Sequence, residues 1–579
     1  MKVKIIFFTT IVCLWTFVSL AAPRPNVVLI MCDDLNDYIS GMGSHPQVRT
    51  PNLEKFAKSA VAFKRAYSNN PVCAPSRASI FTGIYPHQSK NLFWQKWYQQ
   101  DTLKHCKTMM EMFKENGYHV VGSGKLLHHN KASIYTEFHK EANYGPFWKV
   151  GKDLKAHPDV PAPFSEIGAI DGSYGSLESA IDNESENAFW FFGDWKSKKA
   201  YNATGPDRDP TPDEYNAKWA AEQIAEFDKE NIKKPFFLSV GFIRPHTPLH
   251  VPQKYFDMFP QKDIILPEIK MNDKDDTFYE SVFEADQKGL KYFRLLKESY
   301  PNQEAGLRAF TQAYLACITA VDENIGQVID AVDKSRFKDN TIVIFTSDHG
   351  WNMGEKDFLF KNSLWEESAR IPFIIRAPKV AQSGMVAEQP ISLIDLYPTL
   401  VDLCSLEGDN RKNDKGIRLS GFSIRPFLED PKNGEWQGPN SALTMVYAGP
   451  HTGWDPSLQH WTLRSKDWRY IRYNNGKEEL YKHDVDPGEH TNLAMNPEYT
   501  EVKEKMKAEL IAMAELDFSK TVPSTRSKEN GTQKKSSSES KKSAVDWKKA
   551  YFKKNPSADS NKDGDLSWSE LQKHKNLKK

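Results

Sequence analysis

The sequence is short of cysteine, of long apolar runs and of net charge. It has 6 cysteines in 579 residues, too few for a disulfide framework, so buried apolar cores in more than one domain must stabilise it. After residue 21 no stretch approaches the roughly 20 apolar residues that a membrane helix needs, so we expect no membrane span. The formal net charge of +1 argues against a nucleic-acid partner. A hydrophobic share of 39% excludes a wholly disordered chain.

The small net charge conceals an uneven distribution. Residues 520–579 contain 16 Lys and Arg against 7 Asp and Glu, a local charge of +9, whereas residues 22–519 carry −10. The chain therefore has an acidic body and a basic tail.

The first segment, Met1–Ala21, has two lysines, an apolar run and small residues before its end. This pattern is typical of a secretory signal, so we expect an exported protein, periplasmic or secreted. Cys13 lies inside the segment, and without it five cysteines remain. At most two disulfides could then form, and one thiol would be left over.

Short apolar runs alternate with amphipathic stretches along most of the chain. The runs have the composition of strands buried on both faces, and they are Asn26–Met31, Pro235–Val240, Thr341–Thr346 and Ile371–Arg376. Helical periodicity is seen in Thr108–Asn116 and Ala309–Val332. The alternation predicts an α/β domain with a mostly parallel sheet, in which functional sites lie at the carboxyl ends of strands.

Beyond residue 440 the pattern changes. Trp461–Tyr473 and Glu479–Tyr481 have the composition of short strands around a turn at residues 474–476. We therefore predict a main domain over 22–440 and a smaller antiparallel subdomain over 441–518. The Ser- and Lys-rich residues 519–545 are predicted to be a flexible linker to a short module, 546–579.

The short module contains the pattern of a calcium-binding loop. Its ligand positions would be filled, as in an EF-hand, by Asp559, Asn561, Asp563, Asp565 through its backbone carbonyl, and Glu570. A solvated polar turn is the alternative. EF-hands usually occur in pairs, and this loop is single, so we expect it to bind Ca²⁺ with modest affinity. Its role would be structural or attachment, separate from catalysis.

Two of the predicted strands end in acidic residues. The first continues into Asp33 and Asp34, and the strand of residues 341–346 continues into Asp348 and His349. If these strands are neighbours, three carboxylates and an imidazole meet, and a hard divalent cation such as Ca²⁺ or Mg²⁺ would relieve the repulsion. The alternative is that the aspartates cap a helix or begin a turn.

The segment Asn70–Gly83 has the pattern of a loop that enters a helix. Pro75 fits only in the first turn, which places Cys73 just before the helix N-terminus. Free N–H groups and the helix dipole would there favour a bound anion and lower the pKa of the thiol. The alternative is an ordinary buried cysteine.

Around this cysteine the sequence resembles the type I sulfatase family. Its signature, C-x-P-S-R followed by T-G, is complete in Cys73, Pro75, Ser76, Arg77, Thr82 and Gly83. The resemblance covers most of residues 25–500 and is strongest to the iduronate-2-sulfatase branch. Further matching stretches are Val28–Leu35, Gly124–His128, Val240–Pro248, Phe345–Gly354 and Asp395–Leu400.

The resemblance implies a fold, a modified residue and a metal. The fold is an alkaline-phosphatase-like α/β domain, the sulfatase catalytic domain, with a smaller C-terminal subdomain. A formylglycine-generating enzyme would oxidise Cys73 to formylglycine (3-oxoalanine) during export, and the hydrated aldehyde would be the nucleophile. That modification would account for the leftover thiol. A catalytic Ca²⁺ would be held, together with modified Cys73, by Asp33, Asp34, Asp348 and His349.

The resemblance also suggests roles for five other residues. Arg77 would hold the aldehyde hydrate and offset charge at the metal. Lys125 and His128, spaced as G-K-x-x-H, resemble residues that bind the sulfate and assist the hydrate. His246, in R-P-H-T-P, resembles the histidine that faces the leaving oxygen, and Lys361 resembles a second sulfate-binding lysine. We hypothesise that His246 is the acid and His128 the base. Each could instead be a structural or surface residue.

The function that follows is hydrolysis of sulfate esters of a polysaccharide or its oligosaccharides. Candidates are algal glycans such as ulvan or carrageenan, and 2-sulfated uronic acid units of glycosaminoglycans. One alternative is a phosphatase or phosphonate hydrolase of the same superfamily, but the intact C-x-P-S-R motif favours sulfate. Another is a catalytically silent, calcium-dependent glycan-binding protein, which would not need a nucleophile. The aromatic segments Phe189–Trp195 and Tyr144–Trp148 could line a sugar pocket or pack in the core.

Overall fold

The computed structural model describes residues 24–43, 45–180, 187–193, 199–270, 272–283 and 287–523. The predicted signal segment, almost all of the predicted linker and the EF-hand-like loop lie outside these described residues. The ligands expected in that loop, outside as well, are Asp559, Asn561, Asp563, Asp565 and Glu570.

In the described ranges the chain forms eighteen strands. They are β1 (Asn26–Asp33), β2 (Val61–Tyr67), β3 (His119–Gly124), β4 (Glu137–Glu141), β5 (Phe147–Val150), β6 (Asp153–Lys155), β7 (Tyr174–Ser176), β8 (Ala188–Phe191), β9 (Phe236–Pro245), β10 (Leu249–Val251), β11 (Thr341–Ser347), β12 (Arg370–Arg376), β13 (Met385–Ala387), β14 (Ile391–Ser392), β15 (Ala442–Val446), β16 (His460–Arg464), β17 (Trp468–Arg472) and β18 (Glu478–Lys482).

Twelve α-helices accompany the strands in the same ranges. They are α1 (Pro51–Ala57), α2 (Cys73–Thr82), α3 (Pro86–Ser89), α4 (Met109–Glu115), α5 (Pro212–Lys229), α6 (Gln253–Phe256), α7 (Lys288–Ser299), α8 (Gln303–Lys334), α9 (Glu366–Ala369), α10 (Leu396–Leu403), α11 (Arg425–Glu429) and α12 (Thr500–Ala514).

A nine-stranded sheet forms the centre of the molecule. Its order is β13-β2-β12-β11-β1-β9-β3-β4, and β14 also pairs with β2. Strand β1 lies parallel to both of its neighbours, β11 and β9. Among the described strands of this sheet, β12 alone runs antiparallel to those beside it. The four predicted buried strands are β1, β9, β11 and β12, so the prediction of a mostly parallel α/β sheet is confirmed.

Helices cover both faces of this sheet, and the alternation of side chains in β1 shows why. Val28 and Ile30 enter one core with residues of α5 and α8, whereas Leu29 and Met31 enter a second core with residues of α2, α4 and α10. All eight residues of β1 are buried. A strand that is apolar on both faces is stable only between two such layers.

The C-terminal subdomain is a separate antiparallel sheet in the order β15-β16-β17-β18. Met506, Leu510 and Ala514 of α12 pack against it in a core of their own. The predicted strand segment Trp461–Tyr473 is in fact two strands, because Ser465 at its middle bonds to Trp468 and closes a tight turn.

The subdomain is joined to the main sheet by buried ion pairs. This junction cluster consists of Glu366, Arg464, Arg469, His483 and Glu489. Arg464 Nε lies 3.1 Å from a Glu366 oxygen, and Arg469 bonds to both Glu366 and Glu489. Because the partners come from α9, from the small sheet and from the chain after it, the cluster ties the two parts of the molecule together.

The described cysteines form no disulfide. Those that are free and buried are Cys32, Cys73, Cys106, Cys317 and Cys404. Cysteine pairing therefore does not single out Cys73 as a leftover thiol, and only its position does. In the described ranges, every helix is too short or too polar to span a bilayer.

Candidate active site

The acidic residues of two adjacent strands meet at one edge of the large sheet. Asp33 is the last residue of β1, and Asp348 follows β11 directly. The two strands are parallel, with Cys32 opposite Ser347, so their ends coincide. Asp33, Asp34, Asp348 and His349 are all fully buried there. The expectation that these strands are neighbours is therefore confirmed, and none of the three aspartates caps a helix.

Asp34 turns into the cluster because its backbone is in the left-handed region. Its φ is 63°, a conformation that most residues avoid. The Asp34 carbonyl accepts a hydrogen bond from Tyr314 Oη at 2.7 Å, and its N–H donates to Asp348 at 3.3 Å. Tyr314 lies on α8, so the long core helix holds the strained residue in place.

Cys73 is the first residue of α2, and Val72 is the N-cap. The helix therefore begins one residue earlier than expected, with Cys73 inside its first turn. Its sulfur lies 3.3 Å from His349 Nε2 and 3.2 Å from Lys361 Nζ. Burial, with the nearby Asp33, raises the pKa of the Cys73 thiol. The predicted lowering of this pKa by the helix N-terminus is therefore wrong, because desolvation of the thiolate is the larger effect.

The motif around Cys73 also fastens α2 to the sheet. Ser76 Oγ donates to the Asp348 carbonyl at 2.6 Å, and Arg77 Nε donates to the Asp348 carboxylate at 2.7 Å. Arg77 further bonds to Asp33 and to the carbonyls of Cys32, Lys125 and Leu126. Each of the three guanidinium nitrogens thus has at least one protein acceptor. This geometry fits charge compensation by Arg77, and its expected contact with a hydrate stays a prediction.

Two lysines bring positive charge to the carboxylates. Lys125 forms a buried ion pair with Asp33, and Lys361 Nζ lies 2.6 Å from Asp34 Oδ1. Burial by itself would raise the pKa of Asp33, but Lys125, with His246 and Arg77, holds it well below its usual value. Burial raises the pKa of Asp34 to about 8, because Lys361 offsets this effect only in part.

The position of Lys125 depends on a close approach of β3 and β9. A Cβ atom on Gly241 would lie 2.0 Å from the Lys125 carbonyl oxygen, and one on Gly124 would lie 2.0 Å from the Gly241 carbonyl oxygen. Gly124 also has a φ of +77°. Only glycine permits this contact.

His246 lies in the loop after β9, facing the carboxylates. Its Nε2 is 3.7 Å from Asp34 Oδ2 and 4.0 Å from Asp33 Oδ2. Its Nδ1 is 2.5 Å from the Thr247 carbonyl, so Nδ1 carries the proton and Nε2 is open. Burial, with the charge of Lys361, holds the pKa of His246 well below its usual value.

The loop of His246 is fixed by Asp213 near the start of α5. This buried carboxylate accepts the backbone N–H groups of Ile243 and Arg244 at 2.8 Å each. Tyr144 packs edge-on against His246, with ring centroids 5.0 Å apart, and its ring centre lies 4.8 Å from Lys125 Nζ. Tyr144 is thus in the site.

His128 lies at the rim of the site. Its ring centroid is 4.7 Å from that of Trp94 and 4.9 Å from that of His129. Burial, with the charge of Lys125, lowers the pKa of His128 to about 3, and its buried Nδ1 has no hydrogen-bond partner. The structure thus brings together all the expected residues of the main domain, with His128 the most peripheral.

The cluster has the donors that a hard metal ion needs. Asp33, Cys73, Asp348 and His349 offer ligand atoms within 4.8 Å of one another, and so do Asp33, Asp34, Cys73 and His246. Asp34 Oδ2 is buried without a hydrogen-bond partner, as expected of a carboxylate oxygen that serves as a cation ligand. His349 Nδ1 is 3.1 Å from the Gly350 carbonyl, which leaves Nε2 free to coordinate. The residues present therefore fit a divalent cation.

Two site residues were missed by the sequence analysis. Tyr314 and Asp213 come from helices remote in sequence from Asp34 and His246, and no spacing pattern marks them. Tyr144 was considered only as part of an aromatic segment. By contrast Trp148, in the same segment, packs against Trp190 in a small core.

Known protein families and individual proteins match most of this chain. A family model described as "Sulfatase" matches residues 25–406, and one described as "N-sulphoglucosamine sulphohydrolase, C-terminal" matches residues 354–516. A sulfatase of Formosa agariphila is 31% identical over 84% of this chain and 86% of its own length. An ulvan-active sulfatase of the same organism is 29% identical, over 84% and 80%.

A solved structure is similar in fold. The phosphonate monoester hydrolase of Agrobacterium radiobacter superposes with a TM-score of 0.60 and 22% identity, over 85% of this chain and 95% of that one. At this identity the likeness shows the fold alone. Membership of the matched family implies a formylglycine and a metal ion. Since the first family model covers more than half of its residues, the chain belongs to the sulfatase family and is a sulfuric ester hydrolase.

Proposed function

We propose that this sulfatase is an exported enzyme that removes sulfate from a sulfated polysaccharide or its oligosaccharides. The observation that carries the proposal is the buried position of Cys73 between Lys361, His349 and the three carboxylates. The ulvan-active relative favours an algal glycan over 2-sulfated uronic acid units of a glycosaminoglycan. Export rests on the pattern of Met1–Ala21.

The chemistry requires neutralisation of an anionic ester. A bound cation, which we propose to be Ca²⁺, would polarise the sulfate, and the formylglycine that a maturing enzyme makes from Cys73 would supply the attacking hydroxyl. Asp33, Asp34, Asp348 and His349 would hold the cation. Lys125 and Lys361 would bind the sulfate oxygens, while Arg77 fixes the carboxylates and offsets their charge.

Proton transfer to the leaving oxygen is assigned to His246. Its Nε2 faces the site, and its Nδ1–H is held by the Thr247 carbonyl. The ring is neutral in the free protein because burial and Lys361 lower its pKa. An arriving sulfate would offset the charge of Lys361, and His246 Nε2 could then take up a proton from solvent and donate it to the leaving oxygen. His128, also neutral, is proposed as the base that returns the active residue to its aldehyde.

The proposal is tested by sulfate release from ulvan, ι-carrageenan, heparan sulfate and a small aryl sulfate. We expect release from at least one polysaccharide, loss of all release in Cys73→Ala, and a Cys73 peptide whose mass shows an aldehyde in place of the thiol. Treatment with EDTA should abolish activity, and added Ca²⁺ should restore it. An unmodified thiol in active protein, or release from the aryl sulfate alone, would contradict the proposal.

Phosphonate hydrolysis is the competing function, because the fold likeness extends to a phosphonate monoester hydrolase. Matched aryl esters of sulfate, phosphate and phenylphosphonate separate the two. We expect a higher kcat/KM for sulfate than for phosphate, since two lysines and an arginine already face three carboxylates and the site gains little from the second charge of a phosphate monoester. The phosphonate ester is a monoanion like the sulfate, and we expect a lower kcat/KM for it because the chain belongs to the sulfatase family. A higher kcat/KM for the phosphonate would favour the competitor.

A further inference from the structure

A continuous row of aromatic rings begins at the rim of the active site. The ring of Trp94 lies against His128 with centroids 4.7 Å apart, and Phe93 follows at 5.5 Å from Trp94. Phe93 stacks on Tyr447 at 5.1 Å, and Tyr447 stacks on Trp454 at 4.8 Å with an interplanar angle of 12°. The row thus crosses from the main domain to the C-terminal subdomain.

The two tryptophans of this row are exposed. Trp94 keeps 44% and Trp454 keeps 39% of its surface accessible, whereas Phe93 is half-buried and Tyr447 is buried. Burying either indole would have been favourable, so exposure of both at one surface marks a binding face. Phe93 and Tyr447 are the support on which the exposed rings rest.

Trp454 is held outward by its own backbone. Its φ is +66°, in the left-handed region where a bulky residue is uncommon, and it follows Gly453, whose φ is +58°. The loop is anchored on both sides of the tryptophan. Gln459 donates to the Thr452 hydroxyl at 3.0 Å and to the Asp455 carbonyl at 2.6 Å. Backbone strain in a well-anchored loop is a mark of function.

Two lysines flank the first two rings of the row in the sequence. Lys90 and Lys96, on either side of Phe93 and Trp94, are exposed, and neither takes part in an ion pair within the part of the chain that the structure describes. Lys96 is two residues from Trp94, and it acts with burial to lower the pKa of His129 at the site rim. A sulfated sugar has apolar C–H faces and anionic groups. The exposed aromatic rings match the apolar faces, and lysines without an ion-pair partner match the sulfate groups.

We propose that Trp94 and Trp454, supported by Phe93 and Tyr447, bind successive sugar rings of a sulfated oligosaccharide whose reacting unit is at Cys73. With this aromatic row, the protein would bind several consecutive sugar units of its substrate at once. The inference rests on the proposed function, because it places the reacting sulfate in the site described above. It adds the direction in which the remaining chain leaves that site, over His128 toward the C-terminal subdomain.

Trp454→Ala tests the row at the point most remote from the reacting atoms. On the polysaccharide that releases sulfate fastest, we expect KM to rise about three- to tenfold, the range of one aromatic contact. On the small aryl sulfate, kcat/KM should stay within twofold. Trp454→Phe should restore most of the affinity, since a ring is retained. Phe422→Ala, which removes another exposed aromatic side chain, is the matched control. It should leave KM for the polysaccharide and kcat/KM for the aryl sulfate unchanged.

Binding is measured separately from turnover, in the Cys73→Ala protein, by its retardation in gels that contain ulvan, ι-carrageenan or heparan sulfate. Retardation that Trp454→Ala weakens supports the row even if no polysaccharide releases sulfate, an outcome in which only the proposed function fails. Retardation by none of the three, or equal retardation with and without Trp454, overturns the inference. An unchanged melting temperature shows that Trp454→Ala is folded.

Discussion

At the scale of the residue, the site is centred on Arg77. Its guanidinium bonds to carboxylates or carbonyls at the carboxyl ends of β1, β3 and β11, so one side chain fixes three strand ends. Lysine could not replace it, because an ammonium group has three donors and no planar fork. The motif C-x-P-S-R is therefore as much a structural clamp as a catalytic signature.

Lys361 is the residue whose charge is easiest to test. Lys361→Met removes the ammonium group 2.6 Å from Asp34 and 3.2 Å from Cys73. We expect kcat/KM for an aryl sulfate to fall about 100-fold or more, the usual effect of losing one charge-stabilising contact. Lys58→Met, at an exposed lysine, should leave activity unchanged. A fall of less than threefold for Lys361→Met would exclude this lysine from sulfate binding.

The sequence allowed site residues within recognisable motifs to be predicted. It did not allow prediction of the residues that hold them in place. Asp33, Asp34, Asp348 and His349 directly follow apolar runs, so their strand-end positions follow from the sequence. Tyr314 stabilises Asp34 from the middle of α8, where it looks like any core aromatic residue. Such contacts are set by tertiary packing, which leaves no local pattern.

At the scale of the element, the position of Lys125 depends on the contact between β3 and β9. Gly241→Ala would place a methyl group 2.0 Å from the Lys125 carbonyl oxygen, which is backbone and cannot rotate away. We expect the free energy of unfolding to fall by about 2–3 kcal/mol, with a marked loss of kcat.

The control for that change is Gly117→Ala. Gly117 has a φ of +84°, and no described atom beyond its immediate neighbours lies within 4 Å of the place that the new methyl group would take, so only backbone strain is added. We expect a loss of about 1 kcal/mol and unaltered kcat. Equal effects of the two substitutions in urea unfolding would contradict a close contact between the strands.

Helix α5 positions the loop of His246 through Asp213. In Asp213→Asn, the side-chain oxygen can still accept one of the two backbone N–H groups, that of Ile243 or that of Arg244. The side-chain amide N–H₂ would face the remaining backbone N–H group and could not accept its hydrogen bond. We expect kcat to fall about tenfold with little change in KM, a loss of positioning and not of binding.

A purely structural role for Asp213 would lower the activity on all substrates equally. If the residue positions the proposed acid, the defect should be larger on sugar sulfates, whose leaving oxygen needs the proton, than on aryl sulfates. Asp228→Asn, at a partly exposed aspartate of the same helix that pairs with Arg336, should leave both rates unaltered. An equal defect on both substrate types would contradict the positioning role.

The order of the elements was predictable and their pairing only in part. Apolar runs located β1, β9, β11 and β12, and their alternation with helices indicated a parallel sheet. The reversal of β12 was not predictable, because a strand buried on both faces has the same composition in either direction. The turn at Ser465 escaped notice because no glycine or asparagine marks it.

At the scale of the whole molecule, the junction cluster makes stability depend on pH. Burial would raise the pKa of Glu489, but Arg469 and His483 lower it to about 2. In the unfolded chain a glutamate titrates near pH 4.3. The unfolded state therefore binds more protons between these values, and stability falls as the pH drops from about 5 toward 2.

We expect this group to account for a loss on the order of 3 kcal/mol in the free energy of unfolding between pH 7 and pH 2. Glu489→Gln should be less stable at pH 7, because Arg469 loses a buried partner, and its stability should change less with pH. Urea unfolding at several pH values measures both. Parallel curves for the two proteins would contradict the assignment.

The burial of Cys73 also fixes an order of events. Only 1% of this residue is accessible, and Ser76 and Arg77 of the same helix are bonded to the end of β11. A second protein cannot reach the sulfur once α2 has docked on the sheet. Any enzyme that oxidises Cys73 must act on the chain while this segment is still extended. If activity requires the formylglycine that the family implies, the modification has to precede folding, and a molecule that folds first would keep its thiol.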